Sequence, residues 1–486
     1  MQISKKQFPF MNFIQKLSSA AKTQLFQVVT IFTITLLGLA FRLFRLGDWS
    51  FWIDEIFSLR SIQSSLEPPL EFFPLSNIIT GNVISILGIN EWNGRIVPAI
   101  VGTITIPILY FIVKKQSDNI VAILSAIFLS VAPWHIYWSQ NLRFYTFLLL
   151  LYMLALTAFY LSLEQKKIRI IFLILGSILL VLAIQERLFA VLLVPVFFAY
   201  LLLLNVLSIE LPALFRLRNL IGVFVTAVIL FVIYDVVINN ANGGSSEIAV
   251  FFSKFVGAPN KTAFRFIVSY IYRVSIPMIV LGLIGGIFSI INKDRFGILN
   301  LCAALIPPLA LTIISPFIFT VDRYAFIALP SWIILSAIAI KEAFFQSEKL
   351  AKVFIVGVFL LVITDAFSQN FLYYQFQNGS RPDWKTAFAI IEEQRADTDI
   401  IYATRPKMGE YYLDQNVLPV DSFVPKDSLP GNQKSWFVIS TSTSAIRPDI
   451  YAWIIENGIL IETLDVHIPG KVFDMQVYLY DPINNQ

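Results

Sequence analysis

About eleven separate runs of this chain are apolar for long enough to cross a lipid bilayer. They lie near 25–44, 96–113, 120–137, 144–163, 168–184, 188–207, 219–238, 266–291, 297–319, 324–340 and 352–368. A spanning helix needs roughly 20 such residues, because hydrocarbon offers its backbone no hydrogen-bonding partner but itself. A chain built this way folds as a bundle of membrane helices; a soluble globule, a disordered chain and a fibrous repeat are excluded. Composition agrees, with 57% of the 486 residues hydrophobic and 14% charged, where a soluble domain carries roughly 25% charge. The first run is long, starts late and precedes no small-residue cleavage site, so a retained helix is expected rather than a signal peptide.

Lysine and arginine set the orientation. Lys5, Lys6, Lys16 and Lys22 precede the first run, and alternate loops carry Lys114–Lys115, Lys166–Lys167–Arg169, Arg216–Arg218, Lys293–Arg295 and Lys341 to Lys352. All fall on one side if the N-terminus is cytoplasmic. An odd number of spans then puts the tail outside, as expected of a multi-pass protein of a plasma (bacterial inner) membrane. Trp49, Trp52, Trp92, Trp134 and Trp138 lie at the outer ends of these runs, where an anchoring belt of indoles is expected. No Lys/Arg stripe with interleaved aromatics points to nucleic acid.

Charge also divides the chain. Residues 369–486 hold 9 Lys/Arg against 15 Asp/Glu, a balance of −6, while the first 368 residues stand at +10. Two parts with different solvents are implied: a transmembrane domain over 1–368, with an outer loop near 45–95, and an extracytoplasmic α/β domain over 369–486. In that tail, 383–393 has helical periodicity, 399–404 reads as a strand, and KMGEYYLDQN reads as a helix ending near Asn416. Residues 435–440 and 471–480 read as further strands.

In so apolar a chain, the charges beside the bilayer are the informative ones. One group runs from Arg42 through Arg45 and Asp48 to Asp54 and Glu55. Adjacent carboxylates project to different sides of a helix or strand, so one of this pair can face a substrate; the plainer reading is a solvated loop with a helix cap. A second group, Pro133 to Tyr145, contains His135, Ser139, Gln140 and Arg143. Arg143 can grip a phosphate with its planar fork of donors or snorkel to the headgroups. The third group is Asp322-Arg323-Tyr324, in a short outer turn that keeps Arg323 near the membrane surface.

Several chemistries are missing. His135 and His467 are the only histidines, so a zinc-type His/carboxylate cluster is not available. Cys302 is the sole cysteine, which removes disulfides, Cys-based metal sites and redox motifs. No P-loop, dinucleotide fingerprint or nucleophile elbow occurs.

Taken in order, the motifs resemble the glycosyltransferase C superfamily, near the protein O-mannosyltransferases and the lipid A aminoarabinose transferase. Trp52-Ile-Asp54-Glu55 stands in the first outer loop, followed by Pro68-Pro-Leu70 and by Asn93-Gly-Arg95. Ser139-Gln140-x-x-Arg143-x-Tyr145 opens the fourth run, Arg323-Tyr324 with Pro330 opens the tenth, and Arg381-Pro-Asp383-Trp384-Lys385 heads the tail. Two positions depart from the family's pattern: Glu67 replaces the histidine before Pro-Pro-Leu, and Gln185-Glu186-Arg187 stands where a later histidine is common. Those departures bear on the sugar and on metal use.

The resemblance implies a polyprenyl-phosphate sugar as donor and an acceptor hydroxyl on a protein, lipid or polysaccharide, with inversion at the anomeric carbon. It implies catalysis by the Asp54–Glu55 pair, with Asp54 as base. Arg323, then Arg143, with Tyr324 beside them, are the implied donor-phosphate residues, and Glu67, Arg95, Gln140, Tyr145 and Glu186 the implied substrate-binding positions. Carboxylates beside a phosphate make an oxygen-rich setting that a divalent ion can enter, with Asp54 as its ligand. Two other classes compete. A transporter or lipid flippase favours charges near the midplane, and a polysaccharide polymerase or ligase would use polyprenyl-diphosphate glycans.

Overall fold

The computed structural model describes residues 9–64, 74–163, 168–216, 218–219, 263–316, 319–423, 433–440, 446–468 and 471–482. Its helices, in chain order, are α1 (Pro9–Leu43), α2 (Ile53–Ser64), α3 (Leu75–Leu87), α4 (Glu91–Gln116), α5 (Asn119–Val131), α6 (Pro133–Ser139), α7 (Tyr145–Ser162), α8 (Ile170–Glu186) and α9 (Leu193–Val206). They continue as α10 (Ala263–Val274), α11 (Ile276–Ile291), α12 (Arg295–Ile314), α13 (Leu329–Gln346), α14 (Lys349–Gln375), α15 (Trp384–Gln394), α16 (Pro406–Leu413) and α17 (Pro448–Asn457).

Among the described residues, seven helices are long and apolar enough to cross a membrane, or nine if each of two bent pairs is one span. The run near 168–184 forms α8, only 17 residues, about 25 Å at the rise of an α-helix. From residue 220 on, the run near 219–238 lies outside the described residues, as does Glu67.

Both bends have a local cause. A proline gives no N–H to the carbonyl four residues back, and its ring crowds that carbonyl. Pro133 thus frees Leu129 O where α5 meets α6 at 57°. Buried Arg42 answers the loss: its Nη2 donates to Leu129 O at 3.2 Å, and its Nη1 to Ser130 O at 3.2 Å and Gly38 O at 2.7 Å. At the second bend, α10 meets α11 at 89° across Ser275, whose φ is +87°, with Pro277 just beyond. The run 266–291 is therefore two helices at a right angle, not one straight span.

The chain divides into two compact units. The first comprises Met1–Arg42, Val101–Trp134 and Leu148–Ile363. Its most enclosed candidate span lies within Asp322–Gln346, where 89% of an 18-residue window is buried. Helix α11 packs closely on α13: a Cβ on Gly285 would meet Leu335 O at 1.9 Å, and one on Gly282 the Trp332 ring at 2.4 Å. Small residues at such contacts are how helices associate where lipid removes the hydrophobic drive. At the rim, Phe26, Phe32 and Val29 of α1 stay exposed, as a helix facing hydrocarbon requires.

The second unit is assembled from Leu43–Ile100, His135–Phe147 and Thr364–Gln486. Its sheet has five strands, β1 (Ile400–Ala403), β2 (Leu418–Pro419), β3 (Ser435–Ser440), β4 (Ile459–Ile468) and β5 (Lys471–Tyr480), in the order β2-β1-β3-β5-β4. β1 lies parallel to β2 and β3; β5 lies antiparallel to β3 and β4. Every residue of β3 is buried, which explains its unbroken apolar run: both faces of the sheet are covered. One covering cluster joins Trp436 and Val438 to Trp384, Phe388 and Ile391 of α15, and also to Phe51, Ile56, Leu59, Ile62 and Leu142. The tail and the segment after α1 thus share one core.

Candidate functional site

The Asp54–Glu55 pair sits in the first turn of α2. Glu55 reaches back so that its Oε2 accepts from Trp52 N at 3.2 Å, the reach of a glutamate at the third helical position toward its N-cap. One residue round the helix, Asp54 is turned to another side. The two neighbours consequently have opposite surroundings.

Glu55 is fully buried. Its Oε1 accepts from Arg95 Nε at 2.9 Å and from Leu142 N at 2.7 Å, and its Oε2 from Arg95 Nη2 at 2.8 Å. Arg381 Nε lies 3.6 Å from Oε2. Burial alone raises this carboxyl; the charges of Arg95 and Arg381 and the hydrogen bonds from Arg95 and Leu142 outweigh it and hold Glu55 below its ordinary range.

Arg95 was expected at the substrate, but its guanidinium is wholly spent on the framework. Besides Glu55 it donates from Nη1 to Leu46 O (3.1 Å) and Trp49 O (2.8 Å), and from Nη2 to Ser50 O (2.9 Å). That uses all five donors an arginine has. Gln140 likewise lies inside, its Nε2 donating to Phe44 O at 2.7 Å and its Oε1 accepting from Tyr373 at 2.9 Å. Tyr145 is 1% exposed and its ring lies against Trp138. None of the three presents surface to a ligand.

Asp54 and Arg143 are different. Arg143 Nη1 donates to Asp54 O and to Ser58 Oγ, each at 2.8 Å, while its Nη2 stands 3.9 Å from Asp54 Oδ2. The Asp54 side chain remains 23% exposed and that of Arg143 11%. The two groups with access are thus a carboxylate and a guanidinium side by side. Among the described residues, no three of His, Cys, Asp and Glu gather in a group that could hold a metal ion.

Arg381, with the rest of its motif, sits in the same unit. Its Nη2 donates to Gln140 O at 2.6 Å, Asp383 caps α15 by accepting from Thr386 N, and Trp384 enters the core. Tyr412 donates to Glu91 Oε1 and accepts from Phe51 N, both at 2.8 Å. Sequence reading located Arg381 but not its partner; nothing local in a sequence links it to Glu55.

Glu186, Arg323 and Tyr324 belong to the first unit. Glu186 ends α8 and is 2% exposed. Arg323 and Tyr324 lie in the 3₁₀ turn Asp322–Ala328, where Tyr324 stacks on Phe189 with centroids 5.0 Å apart. The tryptophan belt needs correction. Trp49, Trp134 and Trp138 are at most 3% exposed, because each packs against rings: Tyr373 and Tyr374, Phe326, and Tyr145, respectively. Only Trp92 of the five is exposed.

Comparison with known proteins agrees with this fold. Residues 68–234 match the family model of the dolichyl-phosphate-mannose-protein mannosyltransferases. ArnT from Cupriavidus metallidurans in its apo state is 12% identical, with a TM-score of 0.55, over 96% of this chain and 99% of that one. The same protein bound to undecaprenyl phosphate is 14% identical, at 0.55, over 95% and 98%. The archaeal oligosaccharyltransferase AglB from Archaeoglobus fulgidus, in complex with an inhibitory peptide and a dolichol-phosphate, is 11% identical, at 0.55. That match covers 80% of this chain, which spans only 63% of AglB. No curated protein sequence matches. The fold is the one shared with these solved membrane proteins, and residues 68–234 resemble the mannosyltransferase family.

Proposed function

We propose that the protein is an inverting glycosyltransferase of the plasma membrane, taking a monosaccharide from a polyprenyl phosphate to an acceptor hydroxyl at the outer face. The N-terminus is cytoplasmic, and residues 369–486 form the extracytoplasmic domain. The observation that carries this reading is the divergence of the carboxylate pair: Glu55 is sealed among arginines while Asp54 keeps access beside Arg143.

In this reading Asp54 takes the proton of the acceptor hydroxyl as its oxygen attacks the anomeric carbon. The bond from that carbon to the phosphate oxygen breaks, and its electron pair leaves with the polyprenyl phosphate. Such a leaving group is already a stable anion, so cationic neutralisation serves it better than an acid. Arg323, with Tyr324, supplies that role, and Arg143 assists. Glu55 acts as a positioning residue that fixes the first turn of α2.

Purified protein given labelled polyprenyl-phosphate monosaccharides tests the proposal. Asp54→Asn should lower transfer at least ~100-fold, the low end of what a general base contributes, with thermal stability unchanged. Full transfer by Asp54→Asn would refute it.

A further inference from the structure

The helix α10 carries three distinct faces. Phe266, Tyr270 and Val274 are buried. Phe264 (74% exposed), Ile267, Val268 and Tyr272 form an open apolar strip. Arg265, Ser269 and Arg273, four residues apart, line a polar edge between them.

The polar edge holds the turn that bears Arg323. Ser269 Oγ donates to Asp322 Oδ2 at 2.7 Å, and Arg273 Nε donates to the same oxygen at 3.2 Å. The other oxygen, Asp322 Oδ1, accepts from Arg323 N at 2.8 Å. A second clamp lies on the buried face, where Tyr270 OH accepts from Trp332 Nε1 at 2.7 Å. Trp134 packs edge-on against both Tyr270 and Phe326, the latter in the same turn as Arg323. One carboxylate therefore ties α10 to the backbone at Arg323.

What covers the open strip follows from the neighbouring helix. α11 has no charged residue over Ile276–Ile291, so hydrocarbon is its solvent. α10 joins it through the single residue Ser275 at 89°, so with α11 along the bilayer normal α10 lies along the boundary at that end. A short helix with an aromatic and aliphatic strip and arginines at its edge suits that place.

We propose that α10 is an interfacial helix whose open strip rests in the lipid boundary, and that through Asp322 it holds Arg323 at the level of a lipid-linked phosphate. Asp322, Ser269 and Arg273 are then positioning residues for donor binding. This rests on the reading of Arg323 as the donor-phosphate residue. Because a short helix resting on lipid can shift with the bilayer, donor affinity depends on how α10 is seated.

The test uses full-length protein in lipid nanodiscs, with Cys302→Ser as background and a spin label at Val268→Cys. The label should be relaxed by oxygen more than by a water-soluble agent; a label fully exposed to water overturns the interfacial placement. Undecaprenyl phosphate binding and transfer kinetics are then compared for Arg323→Ala, Asp322→Asn and Arg273→Gln. Asp322→Asn should raise the donor KM roughly tenfold, as expected on losing charge-assisted bonds, with kcat within about twofold. Arg273→Lys should recover more affinity than Arg273→Gln. If Arg323→Ala weakens donor binding but Asp322→Asn does not, the positioning role is wrong. If Arg323→Ala itself binds donor normally, the donor-phosphate reading fails, and with it the role of Asp322.

Discussion

Glu55 and Arg95 form a two-point ion pair from which water is excluded: Nε meets Oε1 at 2.9 Å, Nη2 meets Oε2 at 2.8 Å, and neither side chain has exposed surface. A buried pair of this kind is costly to break, because removing one partner strands the other's charge. Here the arginine also closes the loop from Leu46 to Ser50 by binding its carbonyls.

Arg95→Lys should therefore be strongly destabilising although it keeps the charge. An ammonium cannot reproduce the fork, and breaking such a pair costs about 3–5 kcal/mol. Thermal unfolding of detergent-purified protein measures this. An unchanged midpoint would show that the loop is held by other means.

The depressed Glu55 carboxyl sets a pH dependence with a definite sign. The unfolded chain, with Glu55 near its usual 4.5, binds the proton before the folded protein does, so stability falls with falling pH. The contribution is complete above that usual value and disappears as pH drops through the lower folded one. Glu55→Gln should be less stable near neutrality and show a shallower acid decline. Parallel acid profiles for the two proteins would contradict the assignment.

Arg381 comes from the head of the tail, yet shares the carboxylate that anchors α2. Arg381→Gln should lower the transfer rate even at saturating donor. In a double-mutant cycle with Glu55→Gln the losses should not add, as is usual for residues in one network. Strictly additive losses would separate Arg381 from Glu55.

Asp383 caps α15 through Thr386 N. Asp383→Ala should weaken that first turn by about 1 kcal/mol, read as faster amide hydrogen exchange over residues 384–387. Exchange at the wild-type rate there would mean the turn is held by Trp384 packing alone.

Sequence period made much of the fold legible. Among the described residues, long apolar runs correspond to helices because hydrocarbon enforces internal hydrogen bonding, and the strands at 435–440 and 471–480 appear at those bounds. Strand β4 went unread, since ILIETLDVHI mixes polar residues on an edge that only β5 pairs. The right angle at Ser275 was also hidden, because apolar residues continue across it and hydropathy does not register backbone direction. At the site, the motifs found the relevant residues but not their burial. Arg95 and Asp54 are alike as charged residues near a membrane surface; only tertiary packing makes one framework and leaves the other accessible. The tryptophans failed for the same reason, being amphipathic enough to serve as belt or core.

Arg42 has a consequence for how the protein is made. Two of its acceptors, Leu129 O and Ser130 O, lie 87 and 88 residues downstream. At roughly 5–20 residues per second of synthesis, the first helix spends about 4–18 s with a guanidinium that has Gly38 O of its own helix but not yet its acceptors on α5. Until α5 arrives, that charge must stay near headgroups or be sheltered by the insertion machinery. The proline bend thus sets an order of assembly: helix one enters first and takes its final seat only after helix five.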